Sequence, residues 1–168
     1  MRRLLVVLGW LGLLALEGLI ARSYLGLGTW WHWLLHQSVG WGAGLVLAAL
    51  VGATTRYRVP VVGALLVGQV LSIVPDLLFR FARMPHDASM DLWLGHISIH
   101  RGPSPTVVAL VSLLVGAAAW TAMTYGQRRT SIGLSLAAVV LVTGACLLAK
   151  PVPTRLADFP VNSTPVLG

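Results

Sequence analysis

Residues 59–79 read VPVVGALLVGQVLSIVPDLLF, an apolar run of twenty-one residues carrying a single charge, Asp76, close to its end. At ~1.5 Å per residue such a helix spans the ~30 Å hydrocarbon core of a bilayer. A carboxylate inside it is costly unless it faces the interior of a helix bundle and finds a partner there. The stretch therefore predicts both a membrane span and a polar site at one of its ends. Four further runs have the same character, at about 4–21, 33–53, 105–125 and 131–149, with Glu17 inside the first. The expected fold is all-α, a polytopic integral membrane protein of about five transmembrane helices. It forms a single membrane domain over 1–168, with a loop at 80–104 and a Pro-rich tail at 150–168.

Composition agrees. The chain of 168 residues is 57% hydrophobic and 10% charged, whereas soluble domains carry about 25% charged residues. That excludes a soluble enzyme, and the hydrophobicity excludes a disordered chain. A single cysteine, Cys146, excludes a disulfide scaffold and argues against a thiolate metal site. The net charge of +7 comes from basic residues standing singly or in pairs, so it reads as a topology signal and not as a nucleic-acid-binding patch. Across the expected spans one side receives Arg2, Arg3, Arg56, Arg58, Arg128 and Arg129; the other receives Arg22, Arg80, Arg83, Arg101, Lys150 and Arg155. The first set is packed into shorter turns, which places the N-terminus inside and the 80–104 loop on the extracytoplasmic side.

The polar residues then fall at one place. His32 and His36 open the second span, Asp76 closes the third, and His86, Asp87, Asp91, His96 and His100 lie in the loop between the third and fourth. Because the second span crosses and the third returns, all of them share one membrane face whichever way the chain inserts. Glu17 lies near that face too. Rows of residues four apart connect these groups to small side chains: His32, His36, Gly40, Gly44 and Ala48 in the second span; Ala64, Gly68, Ser72 and Asp76 in the third; His96, His100, Ser104, Val108, Ser112 and Gly116 leading into the fourth. Small residues at this spacing let membrane helices approach closely, so the rows predict that His36, Asp76 and His100 converge.

Imidazole and carboxylate without thiolate are ligands for zinc and related divalent metals. His36, Asp76, His86, His96 and His100 are the candidate ligands. Asp87 and Asp91, four apart, are candidates for a general base, and Arg101, beside His100, for binding an anionic group bidentately. His32 stands among Trp30, Trp31 and Trp33 and reads as part of an interfacial aromatic belt. Gly95 and Gly102 provide turns around His96 and His100.

In order, the chain presents His36-Gln37-Ser38-Val39-Gly40, then Gly63-Ala64-Leu65-Leu66 running to Pro75-Asp76, then His100-Arg101-Gly102. This order resembles the bacterial inner-membrane proteins described as membrane-bound metal-dependent hydrolases (YdjM-like), over about residues 36–116. In that family the last motif continues as His-Arg-Gly-x-Thr-His-Ser; here Pro105 stands in place of the second His, and Leu78 stands where a second Asp is often found. The resemblance implies a bacterial plasma-membrane protein with a metal-dependent hydrolytic activity. The depth of the site then points to a lipid or lipid-linked ester or phosphoester as substrate. The alternative expectation is a non-enzymatic assembly or partner-binding protein whose His/Asp set is structural. Haem ligation is a weaker one, because the histidines crowd at the membrane edge.

Overall fold

The structure, a computed structural model, describes residues 2–26, 30–55, 57–84, 88–101 and 104–149. His86, Asp87, Gly102 and the tail at 150–168 lie outside the described residues. The described residues form five long helices and no strand: α1 (Arg2–Gly26), α2 (Trp30–Thr55), α3 (Val61–Ala82), α4 (Pro105–Thr124) and α5 (Arg128–Leu147). Each is long and apolar enough to cross a membrane, and the chain is a multi-pass membrane protein. Between α3 and α4 lie two short 3₁₀ turns, Ala88–Leu92 and Ser98–His100.

α2 is the central helix. It packs against α3 and α4 most extensively, and against α5 and α1 less so. Two faces of α2 carry glycine, and each receives a different neighbour. On one, the carbonyl oxygen of Gly40 fills the space a Cβ on Gly68 would need, and the carbonyl of Ala64 does the same for Gly44. On the other, a Cβ on Gly42 would stand 2.7 Å from the Ser112 carbonyl oxygen, and one on Gly116 2.5 Å from the carbonyl of Gly42. Backbone-to-backbone approach of this kind replaces a hydrophobic drive between helices, which is absent when lipid is as apolar as the side chains. The α2 and α3 rows expected from sequence therefore do meet. The α4 row meets Gly42 instead of the Gly40 row.

α1 is peripheral. Leu4, Leu5, Leu8, Leu11, Leu14 and Leu19 are exposed, as suits a lipid-facing surface, while Leu13 and Glu17, four apart, are buried. Trp33 Nε1–H donates to Glu17 Oε2 at 3.3 Å, tying α1 to α2.

Two backbone features prepare the site. Pro75 lies inside α3, next to Asp76, and supplies no N–H to the preceding turn. The 88–101 segment turns back through positive φ at Leu94 (57°) and Gly95 (69°). It rests on the end of α5, where a side chain on Gly95 would collide with the Cys146 sulfur. Gly95 thus meets two demands at once, a left-handed backbone and a close contact. Ser104, at φ 49°, ends the loop, and α4 begins with Pro105 in its first turn. The His96/His100/Ser104 row expected to run into α4 is therefore broken there. His96 lies in a turn and His100 in a 3₁₀ turn, not on one continuous helix face.

Candidate metal centre

Four imidazoles and one carboxylate meet at the ends of α2 and α3. His32 and His36 come from α2, Asp76 from α3, and His96 and His100 from the loop folded over them. The rings are arranged as two stacked pairs, each joining an α2 histidine to a loop histidine. His36 lies on His96 with centroids 4.3 Å apart and planes 14° from parallel. His32 lies on His100 at 4.4 Å and 17°.

Asp76 is the hub. Its Oδ2 is 3.1 Å from His32 Nε2 and 3.7 Å from His36 Nε2, and its Oδ1 is 3.3 Å from His96 Nε2. The ligand atoms of His32, His36, Asp76 and His96 all lie within 4.8 Å of one another, so this group could hold a metal ion. Donors on a tetrahedron with metal–nitrogen bonds of about 2.0–2.1 Å stand roughly 3.3–3.4 Å apart, and the observed spacings bracket that value. His36 and His96 have side chains 2% and 1% exposed, whereas His32 at 32% faces the open side. His100 abuts the group, its Nε2 2.9 Å from that of His36.

The outer nitrogens decide what the inner ones can do. His96 Nδ1 is 3.3 Å from the Ser72 carbonyl oxygen. A carbonyl only accepts, so Nδ1 carries the hydrogen and, in the neutral ring, Nε2 presents a lone pair to Asp76. Ser72 Oγ donates its one hydrogen to the His36 carbonyl oxygen at 2.7 Å. It can then only accept from His36 Nδ1, 3.2 Å away, which leaves the His36 Nε2 lone pair facing inward as well. The His36 Nε2 lone pair thus faces His100 Nε2, 2.9 Å away, as well as Asp76, while His96 Nε2 faces the Asp76 carboxylate. A buried carboxylate facing imidazole nitrogens is stabilised by a proton on a ring or by a metal ion held among them. Outer hydrogen bonds that fix the ring tautomer are the usual support of metal-binding histidines.

The other expected site residues separate into three groups. Asp91, expected as a candidate base, is engaged by its own loop: Oδ1 accepts from the N–H groups of Ile97 and Ser98, each at 2.8 Å, and Oδ2 from Ser98 Oγ at 2.5 Å. The geometry makes it a positioning residue that holds the turn presenting His96 and His100. Arg101 follows His100 directly and is half-buried. His86 and Asp87 fall outside the described residues. His32, assigned from sequence to an aromatic belt, belongs to the cluster. Its place four residues before His36 was the available signal, outweighed there by the flanking tryptophans. Ser72 went unrecognised as a site residue; its position one turn before Asp76 was the clue. Comparison with protein-family models, curated proteins and solved structures finds no match.

Proposed function

We propose that His32, His36, Asp76 and His96 bind one divalent metal ion, zinc by their donor chemistry, and that the chain is a metal-dependent hydrolase of the membrane-bound kind its motifs resemble. The observation that carries this reading is that one ligand atom each of His32, His36, Asp76 and His96 lies within 4.8 Å of the others, with Ser72 hydrogen-bonded to the outer nitrogens of His36 and His96. A divalent metal bound there supplies Lewis-acid polarisation and lowers the pKa of water.

The chain's own residues do the rest. Ser72 and Asp91 orient the ligands. His100, half-buried, carries or accepts a proton at Nε2, 2.9 Å from His36 Nε2, a role the engaged Asp91 does not fill. Arg101 binds an anionic group of the substrate. The cluster sits at the ends of two spans, at headgroup depth, which favours a lipid or lipid-linked ester or phosphoester. The dense arginine pairs in the opposite turns favour this face lying outward, and the resemblance of the motifs favours a bacterial plasma membrane.

Metal analysis of gently purified protein tests the reading. About one equivalent of divalent metal per chain is expected, with His36→Ala, Asp76→Ala and His96→Ala each losing it. Hydrolysis of a chromogenic phosphodiester or ester should vanish with a chelator and return with zinc. Absence of stoichiometric metal in the unsubstituted protein would sink the proposal.

A further inference from the structure

A second feature begins where the cluster ends. On α2, Val39, Ala43, Val46 and Leu50 continue the stripe that starts at His36, at spacings of three and four residues, and so lie on one helix face below that ring. These residues form one wall of a cavity of about 340 Å³; Val139 and Val142 of α5 form the other. That volume is within the range of ligand-binding pockets, roughly 300–1,000 Å³. Leu94, two residues before His96, lines its upper end. Ser112 lines its floor, and its hydroxyl is buried with no hydrogen-bond partner. Leu47 lies on the rim, half exposed, so the cavity is a groove open along its side to the surrounding membrane.

The dimensions suit one occupant. From Val39 to Leu50 the helix rises roughly 16 Å, about half the ~30 Å hydrocarbon thickness and hence the depth of one leaflet. The walls are aliphatic, the opening faces lipid, and the upper end adjoins the loop that carries His96. We propose that this groove seats one hydrocarbon chain of a membrane lipid, entering sideways between α2 and α5, with the lipid's polar end on the membrane face that carries the His/Asp cluster. That the lipid is a substrate rests on the hydrolase reading; that it binds does not. The groove thus gives the site its substrate class: a lipid engaged through one chain as well as through its headgroup.

Photo-crosslinking tests the seat without needing turnover. The full-length protein, reconstituted in phosphatidylcholine vesicles, is irradiated with a phosphatidic acid carrying a diazirine at mid-chain, and the adducts are mapped by mass spectrometry. Adducts should concentrate on α2 and α5 residues lining the groove. Ala43→Phe, and independently Val139→Phe from the facing wall, should reduce them several-fold with metal content retained. Leu114→Phe, on an exposed face of α4, should not. Even labelling of all lipid-facing helices, including exposed Leu14 and Val140, would mean annular lipid only and overturn the proposal. So would a groove protected by a second copy of the chain. In an active preparation, Ala43→Phe should lower the preference for a long-chain over a short-chain substrate with the same headgroup by about tenfold or more. Groove labelling in a protein without hydrolytic activity would discard the hydrolase reading and keep the lipid seat; activity with annular labelling would do the reverse.

Discussion

Ser72 and Asp76, one helical turn apart on α3, hold the same two rings from opposite ends. Ser72 engages Nδ1 of His36 with its hydroxyl and Nδ1 of His96 with its carbonyl, and Asp76 faces Nε2 of both. Substituting Ser72→Ala removes the acceptor that fixes the His36 tautomer but leaves the backbone carbonyl for His96. Metal affinity should fall about 10-fold or more, the usual cost of losing an outer partner of a ligand. Titration of the metal-free protein with zinc against a competing chelator reads this directly. Unchanged affinity would mean that the tautomer is set by something other than Ser72.

The close approach of α2 and α3 is the condition for that clamp. A Cβ at Gly68 would run into the Gly40 backbone, and backbone cannot yield as a side-chain tip can. Gly68→Ala should force the helices apart, cost about 1–3 kcal/mol as overpacking does, and lower metal occupancy although residue 68 is not one of the proposed ligands. Gly63→Ala on the same helix meets nothing within 4 Å and should be neutral. Thermal unfolding in detergent together with metal content distinguishes the two.

Asp91 gives a test of positioning against catalysis. Asp91→Ala strips the partners from two loop N–H groups and one hydroxyl, a loss of about 1–3 kcal/mol for buried groups left unsatisfied, and should free His96 to move. Metal occupancy should therefore drop. Asp91→Asn keeps an oxygen for the N–H groups of Ile97 and Ser98 and should restore most of it. A residue acting as a base would behave differently: Asn would bind metal fully and yet abolish turnover.

Metal binding should be strong above the imidazole range and fail below it. Protonated imidazole cannot ligate, and free imidazole titrates near ~6.5, so acidification through that region drives protons onto the ligands and the metal off. With His32, His36 and His96 all in the group, release should take up more than one proton per metal and be correspondingly steep. Zinc-binding isotherms at successive pH values measure that slope. A shallow, single-proton dependence would point to one imidazole ligand and a different site.

Helix parity makes a separate claim. With five spans, Ser89 in the loop of the site and Gln127 between α4 and α5 lie on opposite membrane faces. In a Cys146→Ala background, Ser89→Cys should react with an impermeant thiol reagent in intact cells and Gln127→Cys should not. Labelling of Gln127→Cys alone would reverse the proposed orientation; equal labelling of both would break the five-span topology.

The sequence by itself determined the five helices, because runs of this length and apolarity have one stable form in hydrocarbon, where every backbone group must be bonded within its own segment. It also determined that Asp76 and the histidines share a face, which follows from counting crossings, and that Gly40, Gly44, Ala64 and Gly68 mark a contact. What only the tertiary structure decided lies in angles and in the loop. A row of every fourth residue drifts about 40° per step on a helix of ~3.6 residues per turn, so spacing alone did not say that α4 would meet Gly42 while α3 took Gly40 and Gly44. His32 reads as an interfacial residue until α2 is rotated against α3 and its ring is found beside Asp76. Asp91 reads as a free acid until residues 94–95 turn through positive φ and bring the N–H groups of Ile97 and Ser98 onto its carboxylate. Those roles come from contacts between segments distant along the chain or folded through turns, and no periodicity within one helix carries that information.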